Sequence, residues 1–213
     1  MIEFSSKTKV DKAFRMSELL TSIKADKTVR ADAKGVRRVT LANVISNTTL
    51  NVHTEGEVKE IYVFEIEMEE DAVPQIFISA LDKEIYFHTL FVLCSDGGRR
   101  LCAAYKHISD RSVKTGKYYI GERMDNCAIM KLPLAADTPD EIYAEIFAAI
   151  LPIPRRRKES AEEYVTRFEG VRKLKAEAEK LQKAVNTERQ AKLRFELNGK
   201  LKEIKKEIEE KTK

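Results

Sequence analysis

The stretch VKEIYVFEIEMEE, residues 58–70, decides how the rest of the chain is read. In an extended strand Tyr62, Phe64, Ile66 and Met68 share one face and are all apolar, while Ile61, Val63, Glu65 and Glu67 share the other. Only the far half of the second face is charged. The strand is therefore expected to be covered on both sides at its start and open to solvent, or to a site, at its end. Next comes a helical pattern over about 71–85, with Pro74 in its first turn and Ile76, Phe77, Ala80, Leu81 and Ile85 as its apolar stripe. IYFHTLFVLC, residues 85–94, is apolar except for His88 and Thr89 and reads as a central strand buried on both faces. Asp96-Gly97-Gly98 marks a hairpin, and RRLCAAYKHI, residues 99–108, is its antiparallel partner. Strand, helix, strand predicts a parallel, right-handed crossover for the first pair. The fold class is thus α/β (α+β), a small mixed sheet with packing helices.

Upstream, Val10, Phe14, Leu19, Leu20 and Ile23 predict one helix from Val10 to Ile23, followed by a polar loop to Gly35. Val39, Leu41, Val44 and Ile45 predict a β-branched edge strand, Thr48 to Val52 a short second strand, and residues 53–57 a turn. Downstream, Tyr118 to Leu134 reads as two weaker strands split near Asp125-Asn126. Thr138-Pro139-Asp140-Glu141 is a capping box with Pro at the first helical position, and its helix runs through Ile142, Ile146, Phe147 and Ile150. Leu151-Pro152-Ile153-Pro154 ends it. The expected organisation is an α/β body over 1–151, a Pro/Arg linker over 152–159 and a helical extension over 160–213.

In the extension Ser160-Ala161-Glu162-Glu163 forms another capping box. Tyr164, Phe168, Val171, Leu174, Ala178, Leu181 and Val185 recur at spacings of three and four; Leu193, Leu197, Leu201, Ile204 and Ile208 do the same. Between the two series the phase slips by one residue. An antiparallel hairpin is therefore preferred to one long helix, with Leu174, Leu181, Leu197, Leu201 and Ile204 as its helical interface. A lone hairpin of this kind is marginal and is expected to lean on the body, on a second copy or on a protein partner, with a second copy, giving a homodimer, preferred.

The charged share of 35% is high for a globular chain, as a body with an exposed helical arm would give. The net charge of +4 is unevenly spread: residues 1–50 and 152–213 are basic and residues 51–151 acidic. Cys94, Cys102 and Cys127 form no C-x-x-C pair and fit free thiols in a reducing compartment. With no apolar signal run and no long apolar span, a cytoplasmic protein with no membrane association is expected.

Glu65, Glu67, Glu69, Glu70 and Asp71 crowd the end of the core strand. Paired carboxylates can hold a divalent cation or share a proton, which makes Glu65 and Glu67 the basis of an alternative reading as a metal-dependent nuclease or nucleotide-acting enzyme. The simpler reading is a solvated strand end whose acids favour the next helix's N-terminus. A nuclease of the restriction-endonuclease type needs an acid two residues before its lysine, and that position before Lys106 is Ala104. No histidine spacing suits zinc, and no Walker loop, G-x-G-x-x-G or G-x-S-x-G is present, so no metal and no cofactor are expected. Arg155, Arg156, Arg157 and Lys158 form a basic run suited to nucleic-acid phosphates or an acidic partner, with weak binding expected.

EIYVFEIEM at 60–68, ALDKEIYFHTLFVL at 80–93, AAYK at 103–106 and the tail RFELNGKLKEIKKEI at 194–208 together resemble the bacterial domain-of-unknown-function family 4391, over about residues 36 to 210. The resemblance implies an α/β body with a helical extension and a setting beside helicases and methyltransferases in restriction or phage-defence gene clusters. Glu65, His88, Tyr105 and Lys106 match motif positions and are weak catalytic candidates with Glu67. Where the family pattern has a lysine after the first strand, this chain has Glu69. The leading functional expectation is a non-enzymatic accessory or adaptor protein that docks through its C-terminal helices; the alternatives are the enzyme built on Glu65 and Glu67 and a weak nucleic-acid-binding protein acting through both basic ends.

Overall fold

The structure, a computed structural model, describes residues 6–50, 56–109, 112–125 and 138–213. The chain divides into two compact units, Met1–Leu151 and Pro152–Lys213. The described residues of the first unit build a six-stranded mixed sheet of β1 (Lys9–Phe14), β2 (Val36–Ser46), β3 (Glu60–Met68), β4 (His88–Ser95), β5 (Gly98–Ser109) and β6 (Ser112–Ile120). Five helices accompany it: α1 (Met16–Ser22), α2 (Lys27–Asp32), α3 (Asn47–Leu50), α4 (Gln75–Lys83) and α5 (Pro139–Ile150). Spatial order follows chain order from β1 to β6. Every neighbouring pair is antiparallel except β3 and β4, which run parallel and are joined across α4.

Each face of the sheet is covered because both alternating sets are apolar. Phe64, Ile66, Met68, Phe91, Leu93 and Cys102 pack against Leu19 and Ile23 of the α1 region, Val29 of α2, and Phe77, Ile78 and Leu81 of α4. On the opposite face α5 brings Tyr143 and Phe147 against His88, Tyr105 and Tyr119, ring on ring. The central strand β4 is buried from His88 to Leu93, as its unbroken apolar run requires.

The N-terminal segment differs from its sequence reading. Val10 to Phe14 lies in β1, and the helix begins only at Met16. A strand period and a helix period meet at Arg15, which is extended and precedes the first helical turn. β1 pairs with β2, so β2 is an interior strand rather than an edge. β1 itself is a blunt edge: it is almost wholly exposed, its register slips between Lys9 and Lys12, and Asp11 has φ of 55°. The expected loop to Gly35 contains α2, started by the Asp26 carboxylate accepting from the Val29 N–H at 2.8 Å. In place of a strand from Thr48, α3 forms, because the Thr49 hydroxyl accepts from the Ser46 N–H at 2.8 Å and draws the backbone into a turn. Residues 51–55 and the second of the two weaker strands after Tyr118 lie outside the described residues, as do His53 and Cys127.

Pro74 stands just before α4 rather than within it. It has no side-chain cap to give, and the Asp32 carboxylate from α2 supplies one, accepting from the Phe77 N–H at 2.9 Å. The buried stripe of α4 is Phe77, Ile78, Leu81 and Asp82, while Ile76 is exposed. Gly98 has φ of 134°, and a side chain there would collide with the Met124 carbonyl oxygen, whose residue exchanges two backbone hydrogen bonds of 2.8 Å with Arg99.

The second unit is a helical hairpin of α6 (Ala161–Thr187) and α7 (Ala191–Thr212), which pack against each other. Both halves of the Ser160–Glu163 capping box are made. The turn from Glu188 to Gln190 falls at the one-residue phase slip.

Candidate functional site

At the carboxyl end of the parallel pair, Glu65 lies between Thr40 and Val92, and Glu67 between Arg38 and Cys94. Glu67 is exposed and Glu65 half-buried. Burial pushes the Cys94 thiol up to about 11; Arg99 opposes the rise and the two glutamates add to it. Asp71, Glu69 and the nearby Asp96 each lie beside an arginine. Asp71 accepts from Arg100 at 2.7 Å and Arg123 at 3.3 Å, and Arg37 lies 4.0 Å from both Glu69 and Asp96. Among the described residues no three His, Cys, Asp or Glu side chains converge to hold a metal.

Lys106 is elsewhere, on the opposite face of the sheet, beneath the end of α4. Its ammonium group donates to the carbonyl oxygens of Asp82, Ile85 and Phe87 at 2.8, 2.9 and 2.9 Å, and lies 2.6 Å from the Asp82 carboxylate. Neither side chain is exposed. The same carboxylate accepts from Thr89 of β4 at 2.5 Å and from Tyr118 of β6 at 2.7 Å. Burial draws the Lys106 pKa below its ordinary value, and Asp82 pushes it back up. All three ammonium protons are engaged with four surrounding oxygens. The ammonium group thus closes one carbonyl of the last turn of α4, that of Asp82, and two of the segment that leads from α4 into β4, those of Ile85 and Phe87. It ties α4 to β4, β5 and β6 at one carboxylate.

Asp82, Thr89 and Tyr118 were not singled out in the sequence, yet a signal was there. Asp82 lies four residues after Ile78 on the buried stripe, and Lys106 follows Cys102 and Ala104 on one strand face. An acid and a base, each at a buried position of an amphipathic pattern, imply each other.

His88 and Tyr105 face α5, with Lys106 on the other side of the sheet. His88 is 5% exposed and meets the Tyr143 ring edge-on at 4.6 Å; Tyr105 is 6.2 Å from the same ring. The Tyr143 hydroxyl donates to the Ala104 carbonyl at 2.8 Å. Burial, with Lys106 adding to it, brings the His88 pKa down to about 4. Glu65 is four residues along β3 from the partner of His88, roughly 13 Å away. The structure thus joins His88 to Tyr105 through Tyr143, puts the Lys106 ammonium group on the other face of the sheet, and leaves the glutamate pair apart from all three.

In the hairpin the basic run is partly engaged. Arg155 Nε donates to the Glu159 carbonyl at 2.9 Å, and an Arg156 guanidinium N–H donates to the Glu210 carbonyl at 2.8 Å, capping the end of α7. Arg157 and Lys158 are exposed. Arg167 grips the Glu159 carboxylate with both arms at 2.6 and 2.8 Å, and also donates to the carbonyls of Lys211 and Pro154. The Arg167 hydrogen bond holds the Glu159 carboxyl below its ordinary pKa. The contacts of Arg156 and Arg167 set the start of α6 beside the end of α7, so the helices are antiparallel. Along the seam Val171, Val185 and Leu201 are buried, while Leu174, Leu181, Leu197 and Ile204 are only half-buried.

A continuous mixed sheet with helices on both faces, together with a helical hairpin closed by its own arginine clamp, defines an α+β protein with a C-terminal helical arm. The chain belongs to the family described as Domain of unknown function (DUF4391), which it matches over residues 4–208. No curated protein and no solved structure matches it. No helix among the described residues is long and apolar enough to cross a membrane.

Proposed function

We propose that this protein is an accessory or adaptor subunit that self-associates through its helical arm. The observation that carries the reading is the half-buried seam. Leu174, Leu181, Leu197 and Ile204 remain partly exposed although their two helices already pack together. A second arm laid against this seam completes a four-helix bundle and removes that apolar surface from water. The body supports the same reading: its candidate polar residues are dispersed, and Lys106 is fully engaged with Asp82 and three carbonyl oxygens. A DNA-processing or phage-defence assembly is the setting in which we place the subunit. The alternative, a metal-dependent nuclease built on Glu65 and Glu67, has two acids with no third ligand converging on them among the described residues.

Light scattering of the full chain tests the proposal. A dimer is expected, and Leu181→Asp with Leu197→Asp should convert it to a monomer whose β-sheet circular dichroism persists. A wild type that stays monomeric at high concentration removes the self-association claim. A rise in melting temperature with Mn²⁺ that is lost in Glu65→Ala would favour the enzyme instead.

A further inference from the structure

We propose that the tip of the helical hairpin binds single-stranded nucleic acid, with Phe195 as a stacking platform and Arg189, Lys192, Arg194 and Lys200 as phosphate contacts. This surface is separate from the dimer seam and does not depend on it. Phe195 lies two residues from Leu197, roughly 200° around the helix axis, and so faces away from the seam.

Phe195 is 80% exposed, the most exposed large apolar side chain among the described residues. Its neighbours one turn away on either side are Ala191 and Gly199, and Gly199 has nothing within 4 Å of where a side chain would begin. Small residues on both flanks leave the ring uncovered. A glycine inside a helix costs about 1 kcal/mol relative to alanine, so the local helix gains nothing from the gap. Exposure is continuous from Arg189 to Glu196.

The surroundings select the occupant. From Lys183 to Lys200 the chain carries five Lys or Arg and two Glu. One of those acids, Glu188, already accepts from the Gln190 N–H at 2.8 Å. The four named cations are exposed, and their side chains have no ion pair with any described residue. A protein-docking patch needs contiguous apolar area, and here the only other exposed large apolar side chain, Leu193 at 40%, lies toward the seam face. One flat ring amid unpaired cations matches an unstacked base and its flanking phosphates. A duplex keeps its bases stacked and offers no such face, so the strand bound is single.

The chain contains no tryptophan, so Phe195→Trp places a single indole reporter at the tip. Titration of that full-length variant with oligothymidylate or oligouridylate should quench its fluorescence, whereas heparin, which has charge but no bases, should not. In anisotropy at about 50 mM salt, Phe195→Ala should weaken oligothymidylate binding roughly five- to fiftyfold, with helical circular dichroism unchanged. Arg194→Ala should reduce the salt slope by about one. A preference for DNA or for RNA would identify the natural strand, and either supports the proposal. Equal affinity for duplex and single strand, unchanged binding by Phe195→Ala, equal quenching by heparin or polyglutamate, or no binding at low salt would each overturn it.

Discussion

Lys106 is a cation with neither exposure nor freedom, and its value to the fold lies in the carbonyls it closes. Lys106→Met would leave Asp82 charged, buried and deprived of its counter-ion. We expect a loss of about 3–5 kcal/mol in urea unfolding. Combining it with Asp82→Asn should cost less than the two separate losses together by about 1–3 kcal/mol, because the second change removes the stranded charge. Equal additivity would show that the pair is not coupled. His88 makes a different demand. Unfolded, it takes a proton below its ordinary 6.5; folded, it resists until about 4. The contribution of neutral His88 is therefore complete above that ordinary value and lost as pH falls toward about 4, a loss of about 3 kcal/mol. His88→Gln should flatten this part of the pH–stability curve, which thermal melts from pH 7 to 4.5 would show. Burial also raises the Cys94 thiol to about 11 and Cys102 to about 12, so site-resolved iodoacetamide labelling at neutral pH should leave both largely unmodified. The apolar alternation around these residues was readable from the sequence. The pairing of Lys106 with Asp82 was legible only indirectly, as an acid and a base each at a buried position of its own pattern, because the two lie 24 residues apart in the chain.

Among the elements, those legible from sequence had one uninterrupted period and a stop signal. β3, β4, β5, α5 and the hairpin fall where alternation, heptad spacing and capping boxes put them. β1 and α1 were misread because an exposed edge strand has no buried face to mark it, and its apolar residues merged with the following helix. α3 depends on a Ser46–Thr49 hydroxyl contact that hydropathy does not register. The arm's base shows the same limit: the basic run at 155–158 reads as a surface for ligands, whereas its Arg155 and Arg156 serve carbonyl oxygens, and Arg167 of α6 grips Glu159. Arg167→Lys keeps the charge but loses the two-armed grip. It should lower the thermal stability of the arm's helices, read by circular dichroism at the helical minimum, more at neutral pH than in acid. The sign follows from Glu159: its depressed pKa adds stability above the unfolded carboxyl value, and that stability is lost as acid protonates it.

For the whole molecule, the division at Leu151/Pro152 separates a body that carries its own core from an arm that does not complete one. A fragment of residues 1–151 should unfold cooperatively by itself. A fragment of residues 152–213 should gain helicity with concentration, since its half-buried seam needs a second copy. Concentration-independent helicity of that fragment would count against the bundle.

The lysine beneath α4 also bears on synthesis of the chain. Strand order equals chain order, so each new strand can add to the last as it leaves the ribosome. The one parallel step, from β3 to β4, needs α4 in place, and the group that closes α4 is on β5. A nascent chain that has emerged only as far as Ser95 has four strands and a crossover helix without its lock. The sheet should therefore become protease-resistant in a single late step, when residue 106 and then Tyr118 clear the exit tunnel, rather than strand by strand.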